Sequence, residues 1–211
     1  MPCLAEHPMQ NHPSRASDHL LSKMWKTKGS RFNAHARLKA RHWASVLATS
    51  LLAMYLVALS LCQLTFADAL TPLENKVLAI GGVVVSVFLI IITLVETARN
   101  YLGDADRMHQ SALAISELYN RFQALTIEQA NVERLTFNDK YSEALKLIPV
   151  DHKDVDYKRF MIRSSADLGI TGFCYVALII DYGFRWLWEF SLYLALILFP
   201  LIGLVIFLLS Q

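Results

Sequence analysis

Two uncharged apolar blocks constrain this sequence more than any other feature. The first covers residues 43–66 and the second residues 77–95, with a polar loop between them. Each block is close to the roughly 20 residues that an α-helix needs to cross the apolar core of a bilayer. Helices satisfy their backbone polar groups internally in lipid, and neither block alternates polar and apolar residues as barrel strands do. The sequence therefore predicts a transmembrane helical hairpin over residues 43–95.

Basic residues are concentrated before the first apolar block. The first 42 residues carry eight Lys or Arg against two acidic residues, whereas Lys76 is the only cation in the loop between the blocks. Since Lys and Arg accumulate on the cytoplasmic side of membrane proteins, the N-terminus is predicted to lie inside the cell and the loop outside. Two spans then return the chain to the cytoplasm after Val95.

The segments that flank the hairpin differ in composition. Residues 1–16 contain three prolines and no apolar periodicity, which favours a disordered tail. Residues 17–42 favour basic cytoplasmic helices, with an interruption at Gly29–Ser30. Residues 96–162 favour a cytoplasmic helical region whose two longer helices fold back on each other. A capping-box pattern over residues 126–129 marks the start of the second of these helices.

An apolar seam continues directly after the second block. Its members alternate in spacings of four and three, which is the heptad pattern of a packed helix face. The seam predicts a single helix from about Leu73 into the 120s. It can pack either against a helix of the same chain or against the same helix in another copy, and the second alternative makes it a candidate oligomer seam. The seam residues are Tyr101, Ala105, Met108, Ala112, Ile115, Tyr119 and Phe122.

The C-terminal region, residues 163–211, is predicted to form an interfacial helix that leads into a third span over residues 190–210. Asp181, Arg185 and Glu189 are spaced four apart and would form a ladder on one face of a continuous helix. Two separate spans in this region, four in total, remain the alternative. The predicted fold is therefore an all-α membrane protein, in which a transmembrane helical hairpin continues into a long cytoplasmic helical hairpin, plus a C-terminal transmembrane helix.

The motifs of common enzyme classes are missing from the sequence. It contains no P-loop, GxGxxG, HExxH or CxxC pattern, and its seven histidines do not pair with carboxylates at the spacing of metal ligands. We therefore expect a protein that is not an enzyme, that has no catalytic, cofactor-binding or metal site, and in which no direct nucleic-acid site is identified.

Polar and small residues recur along one stripe of each apolar block. They allow two interpretations: packing between helices, in which small residues let backbones approach and hydroxyls bond, or the lining of a pore completed by several copies. A hairpin alone cannot enclose water, so a pore requires a homo-oligomer. In that case Gln63 and Glu96 would be wet and lie near opposite mouths of the pore. Glu96 itself is either the solvated end of its span or part of a charged ring at the inner mouth. The candidates are Ser45, Thr49, Ser60, Gln63, Gly82, Ser86, Thr93 and Glu96.

Three stretches together resemble a known family. They are SRFNAHARLKARHW before the first span, LVETARNYLGDADRMHQSALAISELYNRF after the second, and YSEALKLIPVDHKDVDYKRF further on. Their order and spacing are similar to those of the SLATT family, the SMODS and SLOG-associating two-transmembrane effectors, and most similar to the subfamily found beside reverse transcriptases and retrons. The matching residues are Glu96, Asn100, Tyr101, His109, Glu117, Leu118, Tyr119 and Asp156 to Phe160.

The resemblance implies an activity that the residue patterns do not. SLATT proteins are thought to act in phage defence as toxic effectors of the bacterial inner membrane, forming pores or disrupting the bilayer so that infection is abortive. A retron-type reverse transcriptase with its RNA–DNA product would hold the effector inactive. The alternative function is a non-conducting, membrane-anchored scaffold or sensor that recruits a cytoplasmic partner. The apolar segment after Leu168 exceeds the family's two spans.

Overall fold

The computed structural model describes residues 13–66, 68, 70–146 and 151–209. Over these residues the chain forms helices and connecting turns without a strand, which confirms the predicted all-α fold. The helices are α1 (Pro13–Thr65), α2 (Pro72–Ala98), α3 (Tyr101–Gln123), α4 (Ile127–Lys146), α5 (Asp154–Arg163) and α6 (Gly172–Leu209).

The helices group into two compact units. The bundle unit comprises the chain up to Lys39 together with Leu102–Leu187, and the hairpin unit comprises Ala40–Tyr101 and the chain from Trp188 onward. Helices α1 and α6 contribute residues to both units.

The core of the bundle unit brings α1, α3 and α4 together. Phe122 of α3 and Phe137 of α4 lie with ring centroids 5.0 Å apart, and the short connection between these helices is closed by the predicted capping box. Its two bonds run from the Thr126 amide to Gln129 Oε1 (3.1 Å) and from the Gln129 amide to Thr126 Oγ1 (3.4 Å). The buried members of the core are Leu20, Met24, Ile115, Phe122, Ala130, Phe137 and Tyr141.

The apolar seam is covered by its own chain. Six of its seven residues are buried within the protomer, and Tyr119 packs against the edge of the bundle core. Lys28 of α1 also places its ammonium 3.7 Å from the centroid of the Tyr119 ring. Of the two alternatives for the seam, the structure therefore shows a partner helix in the same chain. Oligomerisation remains a prediction, and the seam no longer supports it.

Three expected boundaries were wrong. Helix α1 passes through Gly29–Ser30 without a break and includes residues 13–16 of the predicted disordered tail, whose remaining residues lie outside the described part. The predicted single helix from Leu73 into the 120s is divided, because Asn100 adopts φ 44° and ends the helical hydrogen bonding between α2 and α3. A non-glycine residue tolerates this left-handed backbone only at isolated positions, and asparagine more readily than most.

The C-terminal region is one continuous helix over Gly172–Leu209. On this helix Arg185 pairs with Asp181 (Nε–Oδ1 3.1 Å), as the predicted ladder requires, and Glu189 binds Arg41 of α1. The crossing of a membrane by residues 190–210 stays a prediction.

Two helical stretches have the length and apolar character needed to cross a membrane, Ser17–Thr65 and Pro72–Gln123. Within the hairpin unit the apolar side chains of α1 and α2 point outward, and Leu64, Ile80 and Val83 are largely exposed. A surface this apolar is stable when lipid covers it. The predicted transmembrane hairpin thus has the surface that a bilayer requires.

A buried ion pair joins α1 to α5 in the bundle unit. Arg37 donates from Nε and Nη2 to the two carboxylate oxygens of Asp156, at 2.8 and 3.0 Å. Asp156 also accepts from the Lys153 amide at 3.0 Å, which caps the start of α5. Asn33 adds a bond to the Asp156 carbonyl at 3.1 Å. Every oxygen of this residue therefore has a donor, as a charge removed from water requires.

The continuity of α1 at Gly29 depends on a close approach, which leads to a first prediction. A Cβ at this position would lie 2.2 Å from Cδ2 of the buried Phe160 ring. Gly29→Ala should therefore destabilise the protein, because overpacking costs about 1–3 kcal/mol and outweighs the ~1 kcal/mol gain in helix propensity. Thermal unfolding followed by circular dichroism in detergent measures the effect. Gly183→Ala is the matched control, since no atom lies within 4 Å of a Cβ there; equal stability of the two variants would contradict the packing.

The Arg37–Asp156 pair leads to a second prediction. Asp156→Ala leaves the Arg37 guanidinium buried without its carboxylate and should cost about 3–5 kcal/mol of unfolding free energy. The exposed Glu117–Arg121 pair, 2.5 Å apart, is the control, and Glu117→Ala should cost less than about 1 kcal/mol. Denaturant unfolding of both variants measures the difference, and the account is wrong if the two costs are the same.

Candidate functional site

The residues that combine charge, burial and contacts between several helices lie at the end of α2 in the hairpin unit. Glu96 follows the uncharged block directly, yet only 8% of its surface is exposed. Its Oε2 accepts a hydrogen bond from the Tyr193 hydroxyl at 2.5 Å, and its Oε1 lies 3.2 Å from Arg99 Nη1. The carboxylate is thus held by Arg99, the residue that caps its own helix, and by one residue of α6.

A second set of bonds holds Tyr193 in place. Arg41 donates from Nε to the Tyr193 hydroxyl oxygen at 3.2 Å and from Nη1 to Glu189 Oε2 at 2.7 Å. Because Glu189 and Tyr193 are four residues apart on α6, both face the same guanidinium. Polar contacts therefore run from Glu189 through Arg41 and Tyr193 to Glu96, and they join α1, α6 and α2. We call these four residues the boundary network.

Apolar packing surrounds the boundary network on the side of α1 and α6. Tyr193 is 2% exposed and shares a small core with Ala48 and Phe190. Its ring centroid lies 6.2 Å from that of Phe190. The aromatic body of Tyr193 is thereby fixed by packing while its hydroxyl reaches the polar residues, which is the usual division of roles in a buried tyrosine.

The arginines of this region stay charged. Burial lowers the pKa of Arg41. The hydrogen bond to Tyr193 and the nearby Tyr101 and Glu189 together raise this pKa by more than burial lowers it, so the net shift is upward. For Arg99 the hydrogen bond to the Tyr101 hydroxyl (2.9 Å) is the largest cause of a raised pKa. Since both guanidinium groups remain cationic at any physiological pH, each can stabilise a neighbouring carboxylate.

The candidate pore residues show a different pattern. Four hydroxyls bond to a carbonyl four residues earlier in their own helix, so their polar groups are satisfied locally. Ser45 is buried, and Gln63, Gly82 and Ser86 are half-buried within the protomer. The four bonds are Thr49 to Ser45 (2.9 Å), Ser60 to Leu56 (3.0 Å), Ser86 to Gly82 (2.8 Å) and Thr93 to Leu89 (2.8 Å).

Of the eight pore candidates, only Glu96 belongs to the boundary network. Its expected exposure to water is not found in the protomer, where Tyr193 and Arg99 occupy both carboxylate oxygens. The amide nitrogen of Gln63 has no hydrogen-bond partner among the described residues. A pore lining that several copies would complete remains a prediction for the other candidates.

The sequence patterns do not identify Arg41, Glu189 or Tyr193 as partners of Glu96. By sequence, Arg41 is one of the basic residues that set the topology, and Glu189 belongs to the ladder with Asp181 and Arg185. A signal was present nonetheless. An ionisable residue at the end of an apolar span needs a partner, and Glu189 followed four residues later by Tyr193 is the polar pair at the start of the last apolar segment.

No metal site is evident within the described residues, since no group of three or more His, Cys, Asp or Glu side chains converges there. Among the residues of the family-like stretches, Asp156 lies in the buried ion pair with Arg37. His109 packs beside His35 with ring centroids 4.8 Å apart. These contacts are structural, and they tie α1 to α5 and α3 of the bundle unit.

Comparison with known proteins assigns the chain to a family. No curated protein and no solved structure matches it significantly. A family model described as SMODS and SLOG-associating 2TM effector domain family 5 matches residues 14–207, which include all six helices apart from the ends of α1 and α6. The match confirms the resemblance to SLATT proteins, while the retron-associated subfamily remains a prediction. The chain belongs to family 5 of the SMODS and SLOG-associating two-transmembrane effectors.

Proposed function

We propose that this protein is the membrane effector of a bacterial anti-phage system and that it permeabilises the inner membrane. The observation that carries the proposal is the surface of the hairpin unit, where the apolar side chains of α1 and α2 face outward and the hydroxyls bond to their own helices. Such a surface suits lipid. Since the family consists of effectors with two transmembrane segments, the membrane itself is the natural target of action.

Permeabilisation would require several copies. Within its 27 residues, α2 buries only Ile92 and Glu96 against the rest of the protomer. The exposed surface of α2 is available to helices of other copies, and small residues such as Gly82 and Ser86, which the protomer covers only in part, allow close approach of backbones in lipid. The side-chain nitrogen of Gln63 is buried in the protomer without a hydrogen-bond partner among the described residues, and a rearrangement on assembly would bring it to water or to a second copy. These features favour assembly into a pore that causes abortive infection.

We place the regulation of the effector on the cytoplasmic side of the membrane. The basic segment before the first span favours a cytoplasmic N-terminus in the inner membrane, and the bundle unit would then be accessible to a regulator. In the retron-type version of the proposal, a reverse transcriptase with its RNA–DNA product holds the bundle unit and releases it on infection. A reverse-transcriptase gene next to that of the effector would support this partner.

A non-conducting scaffold is the second candidate. The seam that was expected to join copies packs within the protomer, so the seam does not supply a device for self-assembly. A scaffold would use the hairpin only as an anchor and the bundle unit to recruit a partner. The two functions differ in their demand on polar residues within the spans, because an anchor is insensitive to them.

Gln63 provides the test. Gln63→Leu should reduce release of a trapped dye from liposomes at least tenfold, because it removes a polar group that assembly would turn toward the pore. Purified full-length protein is reconstituted at equal density, and flotation confirms insertion. Thr65→Val is the matched control, since its hydroxyl is exposed and bonds to the Leu61 carbonyl at 2.9 Å.

The outcomes separate the two candidates. Leakage by the wild type and the control but not by Gln63→Leu supports a pore. Equal leakage by all three shows that the lining is elsewhere, and inserted protein that leaves both ions and dye trapped in every case contradicts permeabilisation and favours the scaffold.

A further inference from the structure

The attachment of helix α2 to the rest of the hairpin unit is uneven along its length. Only two of its 27 residues are buried, and both lie near its C-terminal end. The 18-residue window that makes it a candidate span has none of its residues buried inside the protein. Residues 78, 82, 85, 86 and 89 form a half-buried stripe along one side of α2, and Ile92 and Glu96 are its two fully buried attachments.

The two contacts of Glu96 are unequal. Arg99 lies three residues along the chain from Glu96, and its side chain is 47% exposed, so their bond does not attach α2 to another helix. The Tyr193 hydroxyl does, because it reaches Glu96 from α6. Arg41 of α1 bonds to the same hydroxyl oxygen. One tyrosine hydroxyl therefore provides the polar connection between α2 and the pair formed by α1 and α6.

The backbone after Glu96 allows α2 to move as a separate piece. The helix ends at Ala98, and Asn100 has φ 44°, so helical hydrogen bonding does not continue directly into α3. The amides of Arg99 and Asn100 bond to the carbonyls of Glu96 and Thr97 at 3.3 Å, as in a closing turn. A break of this kind absorbs changes in backbone angles without unwinding the helices on either side.

We propose that the Glu96–Tyr193 contact is a latch that keeps α2 docked on its own α1 and α6, and that activation breaks it. Released α2 turns about Asn100 and presents Glu96 and its uncovered surface to a second copy. The latch slows assembly, so that the wild type leaks at a low basal rate, because it occupies the carboxylate that an assembled inner mouth would use. The inference rests on the proposed function as a permeabilising effector, and it adds the element that regulates assembly.

Tyr193→Phe tests the latch, since it removes the hydroxyl and keeps the packed ring. Full-length protein in liposomes is followed by hydrogen–deuterium exchange of residues 92–103 and by dye release. The latch predicts exchange at least fivefold faster than in the wild type and leakage at least tenfold faster without any activator. Tyr55→Phe is the control, because it removes a hydroxyl of α1 with no hydrogen bond among the described residues, and it should leave both rates unchanged.

Glu96→Gln distinguishes the hydrogen bond from general loss of structure. The glutamine amide keeps an oxygen that accepts from Tyr193, so exchange of residues 92–103 should stay within twofold of the wild type, whereas Glu96→Ala should match Tyr193→Phe. Unchanged exchange in Tyr193→Phe overturns the latch, and so does fast exchange in Glu96→Gln. Fast exchange in Tyr193→Phe without leakage in any variant supports the latch and overturns the permeabilising function.

Discussion

The hairpin unit depends on how it accommodates one carboxylate at the end of an apolar helix. Glu96 is buried, and an ionised carboxyl group removed from water must be bonded by donors or it becomes too costly to keep charged. Tyr193 and Arg99 supply those donors, and Arg41 and Glu189 fix Tyr193 in turn. A requirement for hydrogen bonds at one position thus determines where three helices meet.

The packing inside the bundle unit differs from the packing inside the hairpin unit. In the bundle unit, helices contact along their lengths, with the α1, α3 and α4 core and the Arg37–Asp156 pair as separate attachments. In the hairpin unit, the fully buried residues of α2 are confined to its C-terminal end, and the rest of its inner face is half-buried. Local stability in a protein follows the density of such contacts. This difference makes α2 the element most readily displaced, and it suits a protein whose activity involves a change within the membrane.

The sequence predicted the parts of this architecture that follow from composition and periodicity. The apolar blocks, the helical character and the capping box at Thr126 were recognised because each depends on residues close together in the chain. The helices that pack against the apolar seam were not predicted, since a heptad pattern shows that a face is buried but does not identify its partner. The predictions at Gly29 and Asn100 were wrong for a related reason. Gly29 leaves room for the ring of Phe160, which is far away in the chain. Asn100 ends a helix although the apolar pattern continues past it. The boundary network joins residues about 150 positions apart, from Arg41 to Tyr193, a separation at which a single sequence carries no pairing signal.

The attachment of α2 can be measured directly as a distance within the protomer. Spin labels at Val57 of α1 and Val83 of α2, both exposed, report on it when introduced as encoded amino acids in full-length protein in nanodiscs. Double electron–electron resonance should give one narrow distance distribution in the resting wild type, which broadens when Glu96 is replaced by alanine. A broad distribution in the wild type, or a narrow one that Glu96→Ala leaves unchanged, would show that the boundary network does not hold α2 and would contradict the account.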